Sequence, residues 1–302
     1  MVSINKSRRR LLAAGTAVLG LTLIPARALA RPAVPSSTRF ELVTPKGRSV
    51  EIFQWCPHRK PVGTILFSHG ANSAPRYYER LIAYWVGAGY RVLAPLHVDS
   101  KEHPQTANYA GLASWAARIE DMRLLAVELG NSAFIVAGHS YGGLTAIAMG
   151  GGVSLVPQGV DGPLYHSGTL AVVAFSPPAP IPSLTGADGY APMKVPALIQ
   201  TGTRDVPPGV TAPDAWEGHL APYHAAPHDR HHYALVLEGV DHYFGGLIGR
   251  SDVAGPQTAR QLNQAGDITT LFLQAFAGAN KSARRLLDAR LSAEGEVRLY
   301  RK

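Results

Sequence analysis

The chain has 302 residues, a formal net charge of +8 and 46% hydrophobic residues, enough to build one α/β domain with a full core and too apolar for a disordered tail. Five of the positive charges, Lys6, Arg8, Arg9, Arg10 and Arg27, fall in the first thirty residues with no acid among them, so the remainder carries +3 and no dense basic cluster. Nucleic-acid binding is thereby excluded as the reason for the basic balance, and the single cysteine, Cys56, excludes an internal disulfide.

The N-terminal stretch MVSINKSRRRLLAAGTAVLGLTLIPARALA has a basic start, an apolar run from Leu11 and an Ala28-Leu29-Ala30 end, the three parts of a cleavable export signal. Ser7-Arg8-Arg9-Arg10-Leu11-Leu12 matches the twin-arginine form, which carries folded proteins. At about sixteen apolar residues, broken by Pro25, the run is shorter than a bilayer span. The expected organisation is a signal over residues 1–30 and one α/β domain over 31–302, periplasmic or secreted from a bacterium, with the twin-arginine export machinery as a partner and no membrane span after cleavage.

Beyond the signal, short apolar runs alternate with longer amphipathic ones, which predicts a mostly parallel sheet with helices on both faces. Eight strands are expected, at 39–45, 49–55, 63–69, 90–95, 132–138, 170–176, 196–202 and 232–239, the first two joined as a hairpin across Lys46-Gly47. Cys56 follows Trp55 at the end of the second strand and reads as buried filler. Helices are expected at 77–89, at 113–130, after Ser140, and from Thr258 to about Ala277, with a further helical piece beyond Gly278. In the second of these, Trp115, Ile119, Met122, Leu125 and Leu129 form an apolar stripe, and Tyr77-Tyr78 reads as helix packing. The Pro- and Gly-rich stretches 151–168 and 176–196 read as surface loops framing a pocket mouth.

The stretch FIVAGHSYGGLTAIAMG, 134–150, carries the chemistry. Gly138-His139-Ser140-Tyr141-Gly142 is a G-x-S-x-G sequence between an apolar strand and a helix, the context of a nucleophile elbow. A serine hydroxyl is too weakly acidic to attack unaided, so it needs a base and an orienting acid, which in a nucleophile-elbow architecture are expected to follow it in the order Asp or Glu, then His. Asp205, just past the strand ending at Gly202, is the expected acid, ahead of Asp241 and Asp188. His242, just past the last expected strand, is the expected base, ahead of His69. The oxyanion of the reaction needs N–H donors. Tyr141, directly after the serine, supplies one, and Ala71, in the loop after ILFSHG, supplies the second. His69, His139, Trp216, Tyr243 and Phe244 are the expected pocket residues. His224 and His228 have helical metal-ligand spacing, but Pro227 breaks the helix and no Cys, Asp or Glu shares the spacing, so neither a metal nor another cofactor is expected.

The segments SHGAN, GHSYGG, TGTRD and GVDHYFGG, in that order, resemble the α/β-hydrolase superfamily, especially the bacterial branch grouped with platelet-activating-factor acetylhydrolases and predicted dienelactone hydrolases, over approximately residues 39–280. The resemblance implies an α/β-hydrolase fold with Ser140 as nucleophile, Asp205 as acid, His242 as base, and Tyr141 and Ala71 as oxyanion donors. Dienelactone hydrolases use a cysteine nucleophile, and Cys56 is far from the elbow, so the serine-esterase side is implied. The expected function is hydrolysis of a small or polymeric carboxylic ester through an acyl-enzyme. Two rivals stand beside it: an amidase or polyester hydrolase with the same triad, and a non-catalytic binding protein on the same fold.

Overall fold

The computed structural model describes residues 33–206, 212–253 and 255–302; the expected signal segment lies outside them. The strands are β1 (Thr38–Val43), β2 (Ser49–Trp55), β3 (Gly63–Ser68), β4 (Tyr90–Pro95), β5 (Phe134–His139), β6 (Thr169–Phe175), β7 (Ala197–Gly202), β8 (His232–Leu237) and β9 (Val297–Arg301). The α-helices are α1 (Glu79–Gly87), α2 (Trp115–Glu128), α3 (Tyr141–Met149), α4 (Pro182–Thr185), α5 (Ala221–Ala225), α6 (Ala259–Phe276) and α7 (Lys281–Asp288). All strands join one sheet in the order β1-β2-β4-β3-β5-β6-β7-β8-β9. The six from β3 to β8 run parallel, and β1-β2 and β9 flank them with antiparallel pairings. The eight expected strands are present, and the first hairpin turns at Gly47 with φ +84°. The ninth, VRLYR, buries only Leu299 between two arginines, so no apolar run marks it.

Alternate strand residues feed two separate cores. Ile65, Phe67, Val173 and Leu235 face α1 and α6, while Leu66, Val136, Val172 and Val236 face α2 and α3. Because both faces of the central strands are covered, those strands read as continuous apolar runs rather than alternating ones. Helix α7 is capped at its N-terminus by Asn280, whose side chain accepts from the N–H groups of Ser282 and Ala283. No helix among the described residues is long and apolar enough to cross a membrane.

Cys56 departs from expectation. It is exposed, because β2 ends at the fully buried Trp55 and the chain turns outward immediately after it.

Candidate active site

Four parallel strands deliver the expected residues to one edge of the sheet, the carboxyl edge where open α/β sheets hold their ligands. Strand β3 ends at Ser68, before His69-Gly70-Ala71, and β5 ends at His139, before Ser140. Strand β7 ends three residues before Asp205, and β8 ends five residues before His242.

Ser140 has φ 55° and ψ −121°, a conformation that costs a non-glycine residue about 1–3 kcal/mol. Its N–H bonds to the Phe175 carbonyl (2.8 Å), and its own carbonyl receives the Leu144 N–H (3.1 Å), so both neighbouring elements grip the strained turn. The two glycines of the motif make room for it. A Cβ at Gly142 would stand 1.9 Å from the Ser68 carbonyl oxygen, and one at Gly138 would stand 2.1 Å from the Gly142 oxygen. Both obstacles are backbone atoms that cannot rotate away. Gly142→Ala is therefore expected to cost about 4 kcal/mol or more in urea unfolding, and a folded variant of wild-type stability would contradict this close approach.

The Asp205 carboxylate is buried. Its Oδ1 lies 2.7 Å from His242 Nδ1, and its Oδ2 accepts from Thr201 Oγ1 at 2.9 Å. Burial alone would push this carboxyl up, but the flanking rings of His242 and His219 hold it well below the usual carboxylate range. A carboxylate only accepts, so His242 carries its proton on Nδ1 and leaves Nε2 free to accept another. Asp188 is exposed, and Asp241 instead accepts the N–H groups of Tyr243 and Gly245 in the turn that presents His242.

His139 ties three loops together. Its Nε2–H donates to the His242 carbonyl (2.8 Å), and its Nδ1 accepts from the Tyr78 hydroxyl (2.9 Å), which in turn accepts the Gly70 N–H (3.0 Å). Burial and the neighbouring His242 ring push the His139 pKa down to about 3, in keeping with a neutral ring. The residue before the serine, the loop at Gly70 and the loop at His242 thus share one chain of hydrogen bonds.

Arg118, on α2, braces the other side. It donates Nε and Nη2 to Asp99 (3.0 and 2.8 Å) and Nη1 to the His69 carbonyl (2.8 Å). Its guanidinium carbon stands 4.5 Å from the centre of the Tyr141 ring. Burial would push the Asp99 carboxyl up, but Arg118 holds it down at about 2. Beside it lies a serine–histidine–aspartate chain: Ser68 Oγ to His97 Nε2 and His97 Nδ1 to Asp121 Oδ2, each 2.8 Å. All three residues are fully buried, so this set has no access to substrate. His69 belongs to the same buried layer, its Nε2 accepting the His97 N–H and its Nδ1 donating to the Gly70 carbonyl.

A cavity of about 590 Å³ opens over Ser140. Ala71 and Tyr141 line it, together with Tyr109, Leu112, Pro178 and Ile181. Tyr141 is the first residue of α3, where N–H groups have no intrahelical acceptor. The 176–196 loop frames this mouth as expected, but the segment 99–112 supplies much of the wall without any sequence signal. The five expected pocket residues are not in the lining. His69 and His139 are buried beneath it in hydrogen bonds, Phe244 is fully buried in the core at φ 54°, and Trp216 packs under Arg298. Tyr243 is half-buried, edge-on to the His242 ring. Sequence reading passed over Arg118 and took Tyr78 for helix packing alone; for Arg118 the available sign was a charged residue three positions from Trp115 on the apolar face of α2.

Among the described residues, Asp205, His219 and His242 are the histidine and acidic side chains whose ligand-type atoms lie within 4.8 Å of one another, and they are hydrogen-bonded together. His224 and His228 are not part of that group.

No protein-family model and no curated protein matches the sequence. Among solved structures, Thermogutta terrifontis esterase 2, phosphorylated by paraoxon, is 16% identical over 82% of this chain and 97% of its own, with a TM-score of 0.58. The esterase domain of a Rhodothermus marinus protein is 15% identical over 80% of this chain and 99% of its own, with a TM-score of 0.53. A Mycobacterium tuberculosis puromycin-hydrolyzing peptidase matches 80% of this chain at 15% identity and a TM-score of 0.52, and this chain spans 39% of its length. With a mostly parallel sheet covered by helices on both faces and these neighbours in shape, the chain has the α/β-hydrolase fold.

Proposed function

We propose that the protein is an exported serine hydrolase that cleaves carboxylic esters with Ser140, His242 and Asp205. Ser140 attacks the ester carbonyl while His242 Nε2 takes its proton. Asp205 holds the Nδ1–H of the resulting imidazolium, and the N–H groups of Tyr141 and Ala71 receive the oxyanion. The histidine then returns the proton to the departing alcohol, and water activated by the same ring releases the acid. No cofactor enters these steps. The finer kinship proposed is with the serine branch grouped with platelet-activating-factor acetylhydrolases, on the four segments that resemble it. Export rests on the twin-arginine-type segment at residues 7–12, and a periplasmic or secreted location follows from it.

The observation that carries this reading is a strained serine opening into the same cavity as Ala71 and Tyr141. Strain of this kind is retained where function demands it. The cavity supports a neutral acyl group of modest size: its wall is largely apolar, and its carboxylate, Asp99, is engaged by Arg118. A fluorophosphonate probe is expected to label Ser140 in native protein. Absence of labelling would favour the non-catalytic reading. A panel of short esters, long esters, insoluble polyester and anilides separates the rest. Short esters are expected to turn over fastest, and activity confined to anilides would replace the ester assignment with the amide one that the puromycin-hydrolyzing neighbour suggests.

A further inference from the structure

His219 lies between acid and base in sequence, on the short 3-10 helix Ala215–Leu220, and is 4% exposed. Its Nδ1 stands 2.5 Å from the Pro177 carbonyl oxygen. Its Nε2 stands 3.0 Å from the Asp205 carbonyl oxygen and 3.1 Å from Asp205 Oδ1. Carbonyl and carboxylate oxygens only accept, whereas a neutral imidazole has a single N–H. With one proton, the ring would press a bare nitrogen lone pair against an oxygen lone pair and leave a buried acceptor unmet. Only the doubly protonated ring satisfies every contact.

We infer that His219 is a buried imidazolium that positions Asp205 and sets the charge against which His242 works. The inference rests on the assignment of Asp205 and His242 as acid and base. Asp205 Oδ1 faces both rings, so the carboxylate sits between two histidines whose ring centres are 5.8 Å apart. Burial alone would push the His219 pKa down, but the Asp205 carboxylate and the two carbonyls outweigh it and hold it up.

The consequence is electrostatic. In the resting protein one cation and one carboxylate cancel beside a neutral His242. When His242 accepts the serine proton, a second imidazolium forms near the first, and only one carboxylate serves both. The like charge opposes that protonation. Among the described residues, the titratable groups that interact with His219 are Asp205, from the loop after β7, His242, from the loop after β8, and His139, at the end of β5. Those facing His242 are Asp205, His219, His139 at the end of β5, and Tyr243. At this separation one charge corresponds to about one to two pH units at an effective dielectric constant between 20 and 40.

Two measurements test this. In the full-chain protein labelled with ¹⁵N on its histidine rings, both nitrogens of residue 219 are expected to carry protons at pH 7.5; one bare nitrogen would overturn the inference. In His219→Gln, assayed on a short p-nitrophenyl ester, the acid limb of kcat/KM is expected to move up by about one to two pH units. An unmoved limb in the folded variant would overturn the coupling, since simple loosening of the loop lowers activity without shifting its pH dependence. His219→Asn, which keeps a donor toward Pro177, serves if the glutamine variant fails to fold, and the ring measurement needs no variant. A doubly protonated ring in a protein that turns over no substrate would support the imidazolium and sink the hydrolase reading, so the two failures are distinct.

Discussion

Ser140→Ala is expected to lower kcat/KM for a short p-nitrophenyl ester by at least roughly 10⁴-fold while leaving the protein folded. The methyl group fits where the hydroxymethyl was, so the loss would report the proposed nucleophile rather than a missing fold. Circular dichroism with the ester assay checks both halves, and retained turnover would remove the mechanism. A companion variant separates strain from chemistry. Ser140→Gly also lacks the nucleophile, but glycine occupies φ 55° without penalty. Relief of the strain, less the extra entropy glycine loses on folding, is expected to raise stability by about 1 kcal/mol. An inactive and more stable protein would show that the fold carries the cost of presenting this serine. A Ser140→Gly variant of lower stability would indicate that the turn is held by contacts of the side chain instead.

Arg118→Leu is expected to damage both stability and activity, although Arg118 is not one of the proposed reacting groups. It leaves Asp99, 6% exposed, without its counter-ion and frees the carbonyl of His69. Breaking a buried pair from one side costs about 3–5 kcal/mol, which lowers Tm on the order of 10 °C in a domain of this size. The activity of the surviving folded fraction is expected to fall roughly 10–100-fold, because His69 precedes the loop that holds Ala71, the proposed oxyanion donor. The pH dependence has a definite sign. In the wild type, Arg118 keeps the Asp99 pKa depressed to about 2, so the pair contributes stability above the unfolded carboxyl pKa that is lost as pH falls toward 2. Without Arg118, burial pushes the same carboxyl up, and the deficit of the variant relative to wild type shrinks as pH falls from 7.5 toward 5. Adding Asp99→Asn removes the stranded charge and is expected to recover part of the lost stability. Urea unfolding of both variants at the two pH values measures this. A deficit that does not change with pH would mean the damage is loss of packing, not an unpaired charge.

Residues 219 and 118 share a property that hid them. Each sits in a segment whose own pattern is ordinary: a histidine-rich stretch beside Pro222 and Pro227, and one arginine on a helix full of charges. Their meaning comes from partners contributed by other elements, Pro177 and Asp205 for one, Asp99 and His69 for the other. The expected pocket residues failed for the complementary reason. His69, His139 and Phe244 adjoin the reacting residues along the chain, yet backbone direction sends their side chains under the rim, while residues 99–112 cross over to form the wall.

Local pattern was enough for whatever depends on backbone conformation within a few residues. Apolar runs marked the eight strands, glycines on either side of Ser140 marked a turn that admits no Cβ, and the positions just past β7 and β8 singled out Asp205 and His242. Long-range packing alone settled which side chains are sealed, which line the cavity, and which hydrogen bonds set the protonation of His139 and His219. The physical reason is that strand, helix and turn preferences act between near neighbours. Burial and charge depend on groups brought together from distant parts of the chain.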